Sequence, residues 1–367
     1  MSLEISHIIT ALEKLATPSL QEHYDNAGLL TGNAHVVCSG IICTLDVTEA
    51  VVEEAFHKGY NLIIAHHPII FNGLKQLTNH TPVERTIIAA IKHDIAIYAI
   101  HTNLDNVLHG VNQQLGNTLG LIDQSILLPK PNTLKKLYSF VPTTHVEQVM
   151  QALFTAGAGT IGNYNECSFQ TTGTGSFKAQ IGAKPFVGKI GEPCKETEIK
   201  LETIFPTYLE KQIVQALLTE HPYETVAYDI ISLSNPHPAI GAGLLGYLPE
   251  AITEQEWLKH IQQTLNLQCI RHTPFTGKKI KKVALCGGAG SFLIQKTVNA
   301  AADTYITADI KYHEFFEADN KLLLVDIGHW ESEQFTIDLL HDFLRENFPN
   351  FAVLKSKIVT NPVQYYC

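Results

Sequence analysis

No two of the seven cysteines (Cys38, Cys43, Cys167, Cys194, Cys269, Cys286, Cys367) form a C-x-x-C pair, and their number is odd. That argues against a disulfide framework and against a thiolate metal knot. It fits small buried thiols in a reduced, cytoplasmic protein. No basic run stands out among the 26 Lys and Arg, and the formal net charge is −10, so nucleic acid is not an expected partner. A phosphorylated small substrate is not excluded, because a bound metal can supply local positive charge. No apolar run reaches the roughly 20 residues that span a bilayer. The opening MSLEISHIITALEKLA is too polar for a signal-peptide core, with Ile5, Ile8, Ile9, Leu12 and Leu15 at helical spacing. A membrane partner is therefore not expected. The chain also lacks a low-complexity tract, and its glycine-rich CGGAGSF (286–292) is neither a P-loop nor a G-x-G-x-x-G motif.

What is present is ample apolar material, 45% of 367 residues, enough for two domains or one large domain with an insertion. The first stretch alternates strands and helices. SGIICTLDV, YNLIIA and IAIYAI read as strands. TEAVVEEAFHKG reads as a helix, with Thr48 as N-cap and Gly59 past its end, and VERTIIAAIKHD as a helix after Pro82. Strands separated by helices predict a mostly parallel sheet in an α/β domain. From about Pro129 the rhythm changes to β-α-β-β-α-β, the ferredoxin-like order, with a Gly-, Thr- and Ser-rich stretch that suits hairpins and loops. After SNPHPAIGAG the first rhythm resumes. The expected organisation is one α/β domain, residues 1–131 and 236–367, split by an inserted α+β domain over 132–235.

In open α/β sheets, sites gather beyond the carboxyl ends of the strands. LIIA ends at His66 and His67, IYAI near His101 and Asp105, and LLLVDIG at His329, with Glu333 four residues on. Adjacent residues of a strand point to opposite faces, so His66 and His67 converge only if the strand stops there, which Pro68 favours. Ser332 is read as an N-cap, placing His329 before a helix and Glu333 in its first turn. Three imidazoles and two carboxylates without thiolate suit a catalytic or regulatory metal site. Five protein ligands exceed what one open site needs. Two metals bridged by a carboxylate, Glu333 or Asp105, would use them.

Around this set, His101 is a base, a hydrogen-bond donor that supports a metal ligand, or a satisfied core histidine. Asp46 and Asp309 either orient a histidine ligand or cap a helix. His313 either assists proton transfer or lies on a helix surface. CGGAGSF (286–292) reads as a glycine turn able to approach a phosphate. Asp25 and Asn26 sit in a turn facing the site, and Asn163-Tyr164 is either a ligand contact or a hairpin turn.

DNAGLL, LDVTEAVVEEA, AHHPIIF, HTNLD and VDIGHWESE together resemble the Ngg-one-interacting-factor-three-like family, also called GTP cyclohydrolase I type two. GNYNECSF, GTGSFKAQIGAKPFVG and HPYETVAYDI resemble its longer bacterial subtype, whose inserted domain is similar to the PII/CutA group of ferredoxin-like trimers. The resemblance covers nearly the whole chain. It implies a homohexameric toroid with dinuclear metal sites facing an inner cavity. Carried over by motif, the metal ligands are His66, His67, Asp105, His329 and Glu333, with Glu333 bridging two divalent ions per subunit. Zinc suits these donors first, and iron or manganese also fit. The implied activity is hydrolytic opening of the guanine ring of GTP, metal-bound hydroxide attacking C8, with hydrolysis of another nucleotide or phosphoester as the wider enzyme reading; a second metal, His101 or His313 would handle proton transfer. The alternative is a non-catalytic metal-binding scaffold or regulator whose inserted domain senses a ligand. One departure is TADIKYH, where the family usually has Gly in place of Ala308; a methyl group there could narrow the pocket without touching a ligand.

Overall fold

A computed structural model of the chain describes residues 3–366. It divides into two compact units, Met1–Leu128 with Ala239–Cys367, and Pro129–Pro238. The strands in chain order are β1 Gly28–Thr31, β2 Ile41–Thr44, β3 Leu62–Ala65, β4 Ala96–Ala99 and β5 Ile122–Pro129. Then come β6 Leu134–Pro142, β7 Ser168–Lys178, β8 Pro193–Pro206 and β9 Tyr228–Ser232 in the second unit. The first unit resumes with β10 Gly241–Thr253, β11 Arg271–His272, β12 Lys279–Ala289, β13 Thr304–Ala308, β14 Leu323–Asp326 and β15 Val353–Lys355.

The first unit holds two sheets, ordered β1-β4-β3-β2-β15 and β11-β14-β13-β12-β10-β5. In the first, β15, β2, β3 and β4 are parallel and β1 is an antiparallel edge. Every residue of β2, β3 and β4 is buried, because helices cover both faces. Ile5–Leu15 and Thr336–Asn347 pack on one side, and Glu49–Lys58 and Pro82–Lys92 on the other. That double covering is why these strands read as unbroken apolar runs. Thr48 caps the helix Glu49–Lys58 by accepting from Val51 N at 3.4 Å, and Gly59 ends it at φ 71°.

The second sheet departs from the mostly parallel expectation. β12, β13 and β14 are parallel, but β10 and β11 pair antiparallel with β12 and β14. Both sheets are therefore mixed. β5 and β10 escaped the sequence reading, β10 because three glycines and a proline interrupt its pattern and β5 because none of its residues is fully buried. Helix Glu254–Thr264 buries Trp257 and Ile261 against this sheet. Among the described residues no helix is long and apolar enough to cross a membrane, and Cys38, Cys43 and Cys286 are buried free thiols.

In the second unit four antiparallel strands lie in the order β7-β8-β6-β9. Helices Val146–Thr155 and Glu210–Glu220 cover one face, packing Val149, Leu153, Ile213 and Leu217 on Leu137, Val141, Leu201 and Phe205. Much of the Gly- and Thr-rich stretch read as hairpins and loops is β7, which pairs with β8 along 11 residues. Nearly all of β7 is exposed, so no buried alternation marks it.

Candidate metal centre

The parallel strands of the first sheet deliver their carboxyl ends to one rim. β3 stops at Ala65, and His66 and His67 follow, with Pro68 unable to continue a ladder. β4 stops at Ala99, and the single helical turn Thr102–Asp105 carries Asp105. The second sheet supplies the rest. After β14, Gly328 at φ 90° starts a five-residue helix, His329–Glu333. His329 and Glu333 are four apart on it, hence on one face. Ser332 is not an N-cap. It lies inside this helix, where its Oγ donates to His329 O at 2.8 Å and accepts from Gly288 N at 2.9 Å.

Glu333 is at the centre. Its Oε2 meets His67 Nε2 at 3.0 Å and His329 Nε2 at 3.1 Å. Its Oε1 lies 3.9 Å from His66 Nε2, which is itself 3.6 Å from Asp105 Oδ1. Two groups result whose donor atoms lie within 4.8 Å of one another, His66, Asp105 and Glu333, and His67, His329 and Glu333. A third comprises His66, His67 and His101.

The fit to a cation is tested by His66. Its Nδ1–H donates to Ile100 O at 2.8 Å, which leaves the Nε2 lone pair. That atom is fully buried without a hydrogen-bond partner, beside two carboxylates. A buried, unpaired acceptor facing anions is costly unless a cation sits between them. The donor set of imidazole and carboxylate fits a divalent ion.

Each of the other histidines is oriented from behind. Asp46 Oδ1 accepts from His67 Nδ1 at 2.7 Å, and Asp309 Oδ2 from His329 Nδ1 at 2.7 Å. Both aspartates thus hold a histidine, the usual arrangement behind metal-bound imidazole. His101 Nδ1 donates to Asp25 Oδ1 at 2.8 Å, and Asp25 Oδ2 accepts from Thr102 N at 3.0 Å. Asn26 turns away to Ile70 O.

The electrostatics follow from this packing. Burial presses His66 down to about 4. Burial also works against charge on His67 and His329, but Asp46 and Glu333 outweigh it at His67, and Glu333 and Asp309 at His329, raising them to about 10 and about 9. Burial likewise opposes the Glu333 charge, yet the surrounding His329, His66 and His67 rings hold it well below the usual carboxylate range. Asp105 moves up, through burial and the adjacent Glu333 charge. Negative charge is thus concentrated where only protons or metal ions can balance it.

The remaining sequence candidates lie elsewhere or act differently. His313 is exposed, its ring edge-on to Tyr312, and it belongs to none of the three groups. CGGAGSF is not a free turn. It begins in the bulged end of β12, and the Gly287 and Gly288 N–H groups are spent on Asn112 Oδ1 and Ser332 Oγ. Ala308 is fully buried at the end of β13. Tyr164 stands exposed in a turn closed by the Ile161–Tyr164 bridge. Sequence reasoning missed Thr360, whose hydroxyl donates to Asp46 Oδ2 at 2.7 Å, and Glu331, which accepts from Asn361. No local pattern announces either.

The chain has close relatives. A Halalkalibacterium halodurans protein named GTP cyclohydrolase 1 type 2 homolog is 38% identical over 363 residues, covering 98% of each chain. A Bacillus subtilis protein of the same name is 39% identical over 331 residues, 90% of this chain and 89% of the relative. The crystal structure of a Bacillus cereus protein related to NIF3 matches all of both chains with a TM-score of 0.88 at 36% identity. The model of the Duf34/NIF3 (NGG1p interacting factor 3) family matches residues 3–362, and the chain belongs to that family.

Proposed function

We propose that the chain holds two divalent metal ions and is a metal-dependent hydrolase acting on a nucleotide, with opening of the guanine ring of GTP as the reaction to test first. The observation that carries this reading is the position of Glu333, whose two oxygens face two separate ligand groups. His66 and Asp105 complete one ion's set, and His67 and His329 the other's. Zinc suits these donors, as do iron and manganese. Divalent ions held so supply Lewis acidity and acidify water at neutral pH.

The chain's own residues then have distinct tasks. Asp46 and Asp309 fix the tautomer and direction of His67 and His329. His101 is the group to move a proton, because Asp25 holds its Nδ1–H and leaves the other ring nitrogen as an acceptor within the His66 and His67 group. His313, outside that group, has no part in this scheme. The names of the relatives, GTP cyclohydrolase 1 type 2 homolog, support GTP as the first substrate. The same reading takes residues 132–235 as an inserted ferredoxin-like domain of the PII/CutA kind, which the antiparallel order β7-β8-β6-β9 supports, and the assembly as a homohexamer.

The test is a turnover assay with metal-loaded protein. Steady formate release from GTP, lost in Glu333→Ala, is the expected result. No turnover across a nucleotide panel by protein that retains its metal would instead make the chain a metal-binding scaffold or regulator.

A further inference from the structure

The chain beyond β15 stays against the first unit. β15 runs parallel to β2, so its carboxyl end points to the rim where Asp46 lies. Ser356 N continues the ladder to Cys43 O at 2.9 Å. Ser356 Oγ and Lys357 N then bind the Glu54 carboxylate at 2.6 and 3.0 Å. This anchoring brings Thr360 to Asp46. The Thr360 hydroxyl occupies Asp46 Oδ2, and Asp46 Oδ1 holds His67. One residue later Asn361 Nδ2 donates to Glu331 Oε1 at 2.9 Å, and Tyr365 faces the same carboxylate. Glu331 belongs to the helix that carries His329 and Glu333. The segment therefore ties the rim of one sheet to the ligand-bearing helix of the other. It also walls a cavity of about 460 Å³ that His67, His329 and Trp330 line from the other side.

We propose that residues 360–365 are a strap that positions His67 through Asp46 and so sets the affinity of one of the two ions. The ion affected is that of His67, His329 and Glu333. The ion of His66, Asp105 and Glu333 has no contact with the strap, since His66 is fixed by the Ile100 carbonyl instead. This inference rests on the dinuclear reading above. Its physical basis is that a histidine ligand binds well only when its far nitrogen is held, and that the holder must itself be held. Without the Thr360 hydroxyl, Asp46 loses its second anchor and can turn away from His67.

The experiment is a stepwise Co²⁺ titration of chelator-treated full-length protein, followed by visible absorbance, for the wild type, Thr360→Val and Thr360→Ser. The wild type should bind in two steps. Thr360→Val should weaken one step about 10-fold, the lower end for loss of a ligand's supporting partner, and leave the other unchanged. Thr360→Ser, which keeps the hydroxyl, should restore the weakened step. Two unchanged steps in Thr360→Val overturn the strap, as do two steps weakened in parallel, or a Thr360→Ser variant as weak as Thr360→Val. A wild-type protein that takes up fewer than two ions overturns the dinuclear reading itself, and the strap with it.

Discussion

His67 touches a carboxylate at each ring nitrogen, Asp46 at 2.7 Å and Glu333 at 3.0 Å, an arrangement that favours a positive charge at its centre. Without metal that charge is a proton, and the consequence is a pH dependence with a definite sign. The folded-state values of His67 and His329, about 10 and about 9, lie above the unfolded value near 6.5. Their contribution to stability is therefore complete below pH 6.5 and is lost as pH rises through 9 to 10. His66 moves the other way, to about 4, so the unfolded chain binds its proton first as pH falls below 6.5. Chelator-treated protein should accordingly melt at a lower temperature at pH 10 than at pH 7. The metal-loaded protein should lose much less, because its ions replace those protons and bind more tightly as they leave. Equal alkaline losses in both forms would refute the assignment of the protons. At this scale the cluster was legible because several imidazoles and carboxylates fall at matching strand ends, where one histidine alone would carry little. Thr360 was not, because it meets Asp46 across 314 residues with an ordinary hydroxyl.

At the scale of elements, the site depends on how short pieces end. β3 stops at Ala65, just before His66, with Pro68 unable to continue a ladder, and that ending was readable. The end of the bulged strand β12 was misread, since its glycines suggest a phosphate turn. Their role here is room. A Cβ on Gly288 would stand 2.3 Å from Glu333 Oε1 and 3.3 Å from His329 Cε1, and the residue has φ 63°. Gly288→Ala should therefore displace the shared carboxylate and lower the metal content, with a stability loss of about 1–3 kcal/mol from strained backbone and contact. Gly59→Ala is the matched control, with φ 71° and nothing within 4 Å of the added carbon. It should lose only the backbone part and keep its metal. Equal metal content in the two variants, measured by elemental analysis, would contradict this use of glycine. The helix His329–Glu333 was placed wrongly from Ser332, because the φ of Gly328, not a side-chain cap, begins it.

At the scale of the molecule, the site is built from residues between Asp25 and Thr360, so it forms only when both sheets of the first unit have folded. The alternation of strand and helix in 1–128 was readable since burial on both faces imprints apolar runs on β2, β3 and β4. The second sheet was less so, since antiparallel β10 and β11 follow no crossover rhythm. In the second unit the two helices stood out by their apolar spacing, while exposed β7 left no imprint. The account's central claim, that one buried glutamate joins two metal sites, is tested most directly by elemental analysis of full-length protein purified without added metal. It predicts two ions per chain in the wild type and about none in Glu333→Ala. One ion or none in the wild type, or two retained without Glu333, would contradict it.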